Sequence, residues 1–223
     1  FPNEEEVAIF KESVYQNVSN FASLEFVKAK NDIIVQHDFL RDVGNYTHQI
    51  INRIPDSDKI FFDTQRFALK DISASQYYSF SAPTSMGKTF VIINFIKNKL
   101  KENVSENFVI VVPTRALLSE IANKLINELK DYLGANCHKV ITTMTAVQQD
   151  EKFIAVLTPE RLYHSLLKQP EIEFKYLFID EAHKISDKDK RSIIYYKILD
   201  MLKERPFVHI YFSSPVIPNP DIY

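Results

Sequence analysis

Over residues 1–58 the apolar positions recur at helical spacing. Val7, Phe10, Val14, Val18 and Phe21 fall three to four apart in NEEEVAIFKESVYQNVSNF, which predicts an amphipathic helix. Asn3 with Glu4–Glu6 behind it supplies a helix start. DFLRDVGNYTHQIINRI predicts a second helical stretch, which Pro55 breaks. From residue 59 onward short apolar runs alternate with longer amphipathic ones. The runs predict strands at Tyr77–Ser81, Phe108–Val112, His138–Ile141, Phe153–Leu157, Tyr176–Ile179 and His209–Phe212. The amphipathic segments predict helices at Lys88–Leu100, Ala116–Leu133, Glu160–Leu167 and Ile193–Leu202. Strands that are apolar throughout are buried on both faces, as in a mostly parallel sheet covered by helices. The pattern therefore predicts a three-layer α/β domain over residues 59–223, with ligands at the carboxyl ends of its strands. Residues 1–58 form a helical accessory segment in this reading, a collar on the main domain. The alternative for that segment is a protein-partner-binding or autoinhibitory role. SDKDKR, Ser186–Arg191, reads as a solvated loop.

Composition adds limits. Seventeen Phe and eleven Tyr can fill a substantial core. No uninterrupted apolar stretch approaches membrane-spanning length, so no membrane contact is predicted. No basic stretch followed by an apolar one opens the chain, so no secretory signal is predicted and a cytoplasmic location is expected. A single cysteine, Cys137, excludes an internal disulfide and fits a reducing compartment. Cys137 and His138 read as structural, without a metal-ligand cluster around them. The chain starts at Phe1 and stops after VIPNPDIY, which reads as a piece of a longer protein. With a net charge of −2, nucleic acid would be held through local contacts rather than a globally basic surface.

Only three glycines are present, and Gly87 stands directly before Lys88 and Thr89. The octet APTSMGKT follows a predicted strand and opens a predicted helix, the context of a phosphate-binding P-loop. Ala82 stands where that pattern has its first glycine. Backbone N–H groups must wrap a phosphate closely, so a residue without a side chain suits position 87. The helix that follows directs its positive end at the anion. Lys88 supplies a point charge between the β- and γ-phosphates, and Thr89 offers a hydroxyl to Mg²⁺. Downstream, YLFIDEAHKI is an apolar strand ending in two carboxylates. Asp180 at the strand end suits a metal ion, and Glu181 beside it suits polarising an attacking water. Adjacent carboxylates repel, and a bound cation relieves that repulsion.

Taken together, these motifs resemble a superfamily-two helicase of the DExH type, from about Phe61 to Asp221. FFDTQRFALKDI resembles the Q motif, with Gln65 seventeen positions before Ala82. The resemblance implies that Gln65 reads the adenine edge and that Phe61 or Phe62 stacks on the base. APTSMGKT (Ala82, Pro83, Thr84, Ser85, Met86, Gly87, Lys88, Thr89) resembles motif I, where alanine often replaces the first glycine. VVPTRALLSE resembles motif Ia and implies nucleic-acid backbone contacts from Pro113, Thr114 and Arg115. Glu120 stands where many relatives have glutamine. LTPERL resembles motif Ib and implies that Thr158, Pro159 and Arg161 lie near phosphates. Taken residue by residue, both threonines also read as helix caps at strand ends. IDEAH resembles motif II. FSSPVIPNPD resembles motif III and its flank; Ser213 matches, whereas Ser214 and Pro215 depart from the usual alanine and threonine. In such helicases motif III couples ATP hydrolysis to strand movement through motif II, here including His183.

The resemblance implies the first RecA-like lobe of a motor that uses ATP and Mg²⁺, with a second such lobe in the same full-length chain supplying arginine fingers. It implies a nucleic-acid partner, DNA or RNA, held mainly by its phosphates. The expected function is a nucleic-acid-dependent ATPase or helicase, this fragment alone being weakly active. The alternative is a nucleotide-regulated remodelling ATPase, or a scaffold, without unwinding.

Overall fold

In a computed structural model the chain is described over residues 39–54, 59–83, 86–102, 105–134, 137–144, 147–148, 150–186 and 190–215. The helix read over Val7–Phe21, the Pro55 break and the IPNPD tail lie outside those residues. Two compact units divide the chain, Phe1–Phe67 and Ala68–Tyr223.

In the first unit the predicted second helical stretch is α1 (Phe39–Asn52). Its last residue, the fully buried Asn52, donates from Nδ2 to Asp63 Oδ1 at 2.6 Å and accepts Phe61 N at 2.8 Å. An antiparallel bridge between Arg53 and Ile60 closes the same turn. Asp63 opens α2 (Asp63–Ala74), an acid in the first turn where the helix dipole favours one.

The second unit is built on six strands: β1 (Tyr77–Ser81), β2 (Phe108–Val111), β3 (His138–Ile141), β4 (Lys152–Leu157), β5 (Tyr176–Ile179) and β6 (His209–Ser214). Its helices are α3 (Lys88–Lys101), α4 (Arg115–Leu133), α5 (Pro159–Lys168) and α6 (Lys190–Lys203), with a 3₁₀ turn at Ala182–Ile185. The spatial order is β1-β6-β5-β2-β4-β3, and every pairing is parallel. Burial follows that order. Central β2 and β5 are buried at every position, whereas edge strand β1 alternates between exposed and half-buried.

Period-two alternation splits the central strands between two cores. Val109, Val111, Leu177 and Ile179 join a cluster with Leu162 and Leu166 of α5 and Tyr195, Ile198 and Leu202 of α6. On the opposite face Phe95 of α3 meets Tyr176, Phe178 and Tyr211 edge-on, with centroids 5.1, 5.5 and 5.7 Å away. Helices α3 and α4 pack on each other, and α5 packs on α6. The result is the predicted three-layer α/β architecture, RecA-like, with a sheet that is parallel throughout. One local expectation is corrected. Lys190 and Arg191, read as part of a solvated loop, open α6. A polar first turn carries no apolar periodicity, so the sequence pattern started that helix at Ile193.

Candidate nucleotide and nucleic-acid site

All of the sequence-predicted chemistry in the second unit lies at the carboxyl ends of the strands. Read across the sheet, the ends of β1, β6, β5, β2 and β4 carry the P-loop, Ser213–Pro215, Asp180–Glu181, Pro113–Arg115 and Thr158–Arg161. Four strand spacings separate the first from the last, about 19 Å at the usual 4.8 Å per strand.

At the β1 end, Met86 N donates to Pro83 O at 3.0 Å and turns the chain toward α3. Thr84 and Ser85 lie outside the described residues. Gly87 is the N-cap of α3, at φ 71° and ψ 42°, with no side-chain cap. A left-handed N-cap costs an L-residue about 1–2 kcal/mol, which glycine avoids. Without a side-chain cap, the N-terminus of α3 is the end of the helix that favours an anion. Lys88 is buried, only 6% exposed, and its Nζ donates to Ala82 O at 3.2 Å. Thr89 follows on the first turn of α3, half-buried. These residues fit a nucleotide phosphate: an uncapped helix N-terminus, a buried ammonium and a hydroxyl lie within one turn.

Asp180, 5% exposed, ends β5, where its amide donates to Val111 O at 2.9 Å. Ser213 Oγ donates to Asp180 Oδ1 at 2.7 Å, occupying one carboxylate oxygen. That leaves acceptor capacity for a metal ion, since a carboxylate offers about four lone-pair sites. Glu181 follows at φ 55° and ψ 44°, left-handed backbone for a residue with a side chain. Such a conformation costs on the order of 1–3 kcal/mol and persists where the surroundings impose it. Here they do: Lys184 N donates to Glu181 O at 2.9 Å and closes the 3₁₀ turn. Glu181 Oε2 lies 3.5 Å from His183 Nδ1, a buried nitrogen without a hydrogen-bond partner.

Motif III sits between these two groups because β6 lies between β1 and β5. Ser213 meets motif II at Asp180. Ser214, also buried, gives its carbonyl to Ala82 N at 3.1 Å. Pro215, which has no N–H, acts through its carbonyl, accepting Ser81 Oγ at 2.8 Å. The two residues that depart from the usual motif are thus bonded to the start of the P-loop through backbone oxygens. Ser81 was not singled out by the sequence.

At the other side, Thr114 caps α4, its side chain accepting Leu117 N at 3.2 Å. Thr158 caps α5, accepting Arg161 N at 3.5 Å, with Pro159 in the first helical turn. Both capping readings hold, and each hydroxyl keeps its own hydrogen for a further acceptor. Arg115 is exposed at the start of α4. Arg161 instead directs NH1 to Thr142 O at 2.6 Å, tying α5 to the segment after β3. Glu120 pairs with Lys124 at 2.6 Å along α4. Pro113 is buried, and its carbonyl accepts Arg191 NH1 at 2.9 Å.

In the first unit, Gln65 is buried and its Oε1 accepts Phe62 N at 3.0 Å; Phe62 itself is half-buried. Among the described residues no group of acidic, histidine or cysteine side chains forms a metal cluster by itself. No helix among them is long and apolar enough to cross a membrane.

The family model for the DEAD/DEAH box helicase matches residues 62–221. The anti-bacteriophage protein B of Escherichia coli is 28% identical over 141 residues, 63% of this chain and 18% of that protein. The ATP-dependent DNA helicase Hel308 of Pyrococcus abyssi is 28% identical over 145 residues, 62% of this chain and 19% of its own. Reverse gyrase 1 of Sulfurisphaera tokodaii is 23% identical over 184 residues, 78% and 14% respectively. The chain thus spans less than a fifth of these relatives. In structure it resembles the DUF1998 helicase MrfA, at a TM-score of 0.59 and 16% identity over 74% of this chain and 28% of that one.

Proposed function

Because the chain belongs to the DEAD/DEAH box helicase family, we propose that residues 59–223 are the ATP-binding lobe of a nucleic-acid-dependent ATPase that couples hydrolysis to unwinding or translocation. The observation that supports it best is the order of the strand ends. A phosphate cradle at β1 and two carboxylates at β5 lie on the same edge as two helix N-termini at β2 and β4. Motif III lies between cradle and carboxylates and is bonded to both.

In this reading the N-terminus of α3 and the Lys88 ammonium hold the nucleotide phosphates. The Thr89 hydroxyl and Asp180 would hold Mg²⁺, which when bound would neutralise charge developing on the phosphates. Glu181 orients and polarises the attacking water. Its left-handed backbone turns the chain directly after Asp180. Gln65 and Phe62 take the adenine. Pro113, Thr114, Arg115, Thr158 and Pro159 face the polymer's phosphates, with Arg161 bracing α5. Ser213 reports the state of Asp180 to the P-loop through Ser214 and Pro215, and His183, beside Glu181, belongs to the same coupling. A second lobe of the full-length protein completes both sites.

One relative's name specifies a DNA helicase, which supports including DNA beside RNA among the polymers tested. ATP turnover of the native full-length protein is to be measured with single-stranded DNA, duplex DNA and single-stranded RNA, with Glu181→Gln as the blank. Stimulation by one polymer, lost in the blank, is the expected result. Turnover indifferent to every polymer indicates a remodelling ATPase instead, and no turnover at all indicates a scaffold.

A further inference from the structure

One side chain outside every motif connects two of them. Strands β2 and β4 end side by side, with Val111 beside Leu157 in register and Val112 N donating to Leu157 O at 2.9 Å. Beyond that point the chains diverge into α4 and α5. Arg191, from the first turn of α6, reaches both. Its NH1 donates to Pro113 O at 2.9 Å, one residue before the cap of α4. Its Nε lies 2.9 Å from Glu160 Oε1, in the first turn of α5. A guanidinium is a rigid planar fork, so satisfying both partners fixes the separation of the two helix N-termini. The same pairing neutralises Glu160, a carboxylate in the first turn of α5 beside Thr158 and Pro159, where a free negative charge would repel a phosphate.

Resting on the functional reading above, we propose that Arg191 is a positioning residue for the polymer. It straps the two nucleic-acid-facing helix starts at a set spacing. Because α6 packs on the 3₁₀ turn that Glu181 caps and that carries His183, the strap also links that turn to the polymer contacts. Arg191 and Glu160 keep 51% and 41% of their side-chain surface exposed, so the pair contributes little to folding stability. Its loss therefore leaves a folded protein with a displaced polymer site.

The test uses Arg191→Met, Arg191→Lys and Glu160→Gln in the native full-length protein, with single-stranded DNA, duplex DNA and single-stranded RNA as probes. ATP turnover is followed against polymer concentration. Both Arg191 variants are expected to need about tenfold more polymer for half-maximal stimulation, within the usual range of coupling between sites. Polymer-free turnover, the KM for ATP and the unfolding midpoint stay near wild type. Lysine keeps the charge but cannot donate along two fixed directions, so Arg191→Lys remains defective. Glu160→Gln keeps an acceptor for Nε and removes the negative charge, so it shifts the polymer requirement less than either Arg191 variant. Full rescue by lysine would overturn the strap in favour of a plain charge contact, and wild-type behaviour of Arg191→Met would overturn any role. A wild-type protein that no polymer stimulates overturns the functional reading, and the strap falls with it.

Discussion

Ser213 Oγ donates to Asp180 Oδ1 at 2.7 Å, and both side chains are buried, 2% and 5% exposed. A buried carboxylate that loses a hydrogen-bond donor carries a desolvation cost of about 1–3 kcal/mol, or more for a charged group. Ser213→Ala is therefore expected to lower unfolding free energy by about that amount, read from urea denaturation. In the functional reading it also weakens the effect of polymer on ATP turnover more than it weakens ATP binding, which stimulated and unstimulated rates separate.

The P-loop yields a prediction that separates folding from binding. Gly87→Ala places a side chain at φ 71°, at an expected cost of about 1–2 kcal/mol in stability. It also narrows the cradle, so ATP affinity falls further than the strain alone explains. Lys88→Ala removes the buried ammonium without touching the backbone. Its turnover is expected to fall by about 10²–10³-fold, as for loss of a preorganised charge donor at a developing anion. Nucleotide titration and thermal unfolding of the two variants check the separation.

Glu181 carries the opposite trade. Its φ of 55° is a conformation that glycine adopts without strain. Glu181→Gly is expected to match or exceed wild-type stability by up to about 1 kcal/mol while abolishing turnover. Unfolding midpoints and ATPase rates measured on the same preparation check both halves. Loss of stability in this variant would show that the Glu181 side chain, through His183, holds the turn.

Arg115 is exposed at the start of α4. Arg115→Ala is expected to weaken polymer binding at every sequence and to reduce the slope of log K against log salt by about one. ATP affinity stays unchanged. Equal affinity of variant and wild type across a salt titration removes Arg115 from the polymer contacts.

Strands β1, β3 and β5 match their predicted ranges at both ends, although only β5 is buried at every position. Helix starts were less legible. The pattern began α4 at Ala116 and α5 at Glu160, whereas the structure begins them at Arg115 and Pro159, directly after their threonine caps. The order of the strands was not legible at all. That order puts β6 beside β1 and brings Pro215 to Ser81. Pro215 departs from the usual threonine of motif III, and the structure uses its carbonyl. Arg191 was hidden in a charged run whose composition matches any solvated loop. Its signal was a single arginine, with a forked side chain, directly before an apolar helix. The left-handed backbone of Glu181 had no signal, since nothing local in DEAH demands it.

The most direct measurement is the reciprocal effect of ATP and polymer on each other's affinity in the Glu181→Gln full-length protein, which binds without turning over. If one lobe edge joins the phosphate cradle to the polymer contacts, ATP changes polymer affinity by some factor, and polymer changes ATP affinity by that same factor. A factor in the range of about 5–150 is expected. Independent binding, with each affinity unmoved by the other ligand, would contradict the coupling of the two sites.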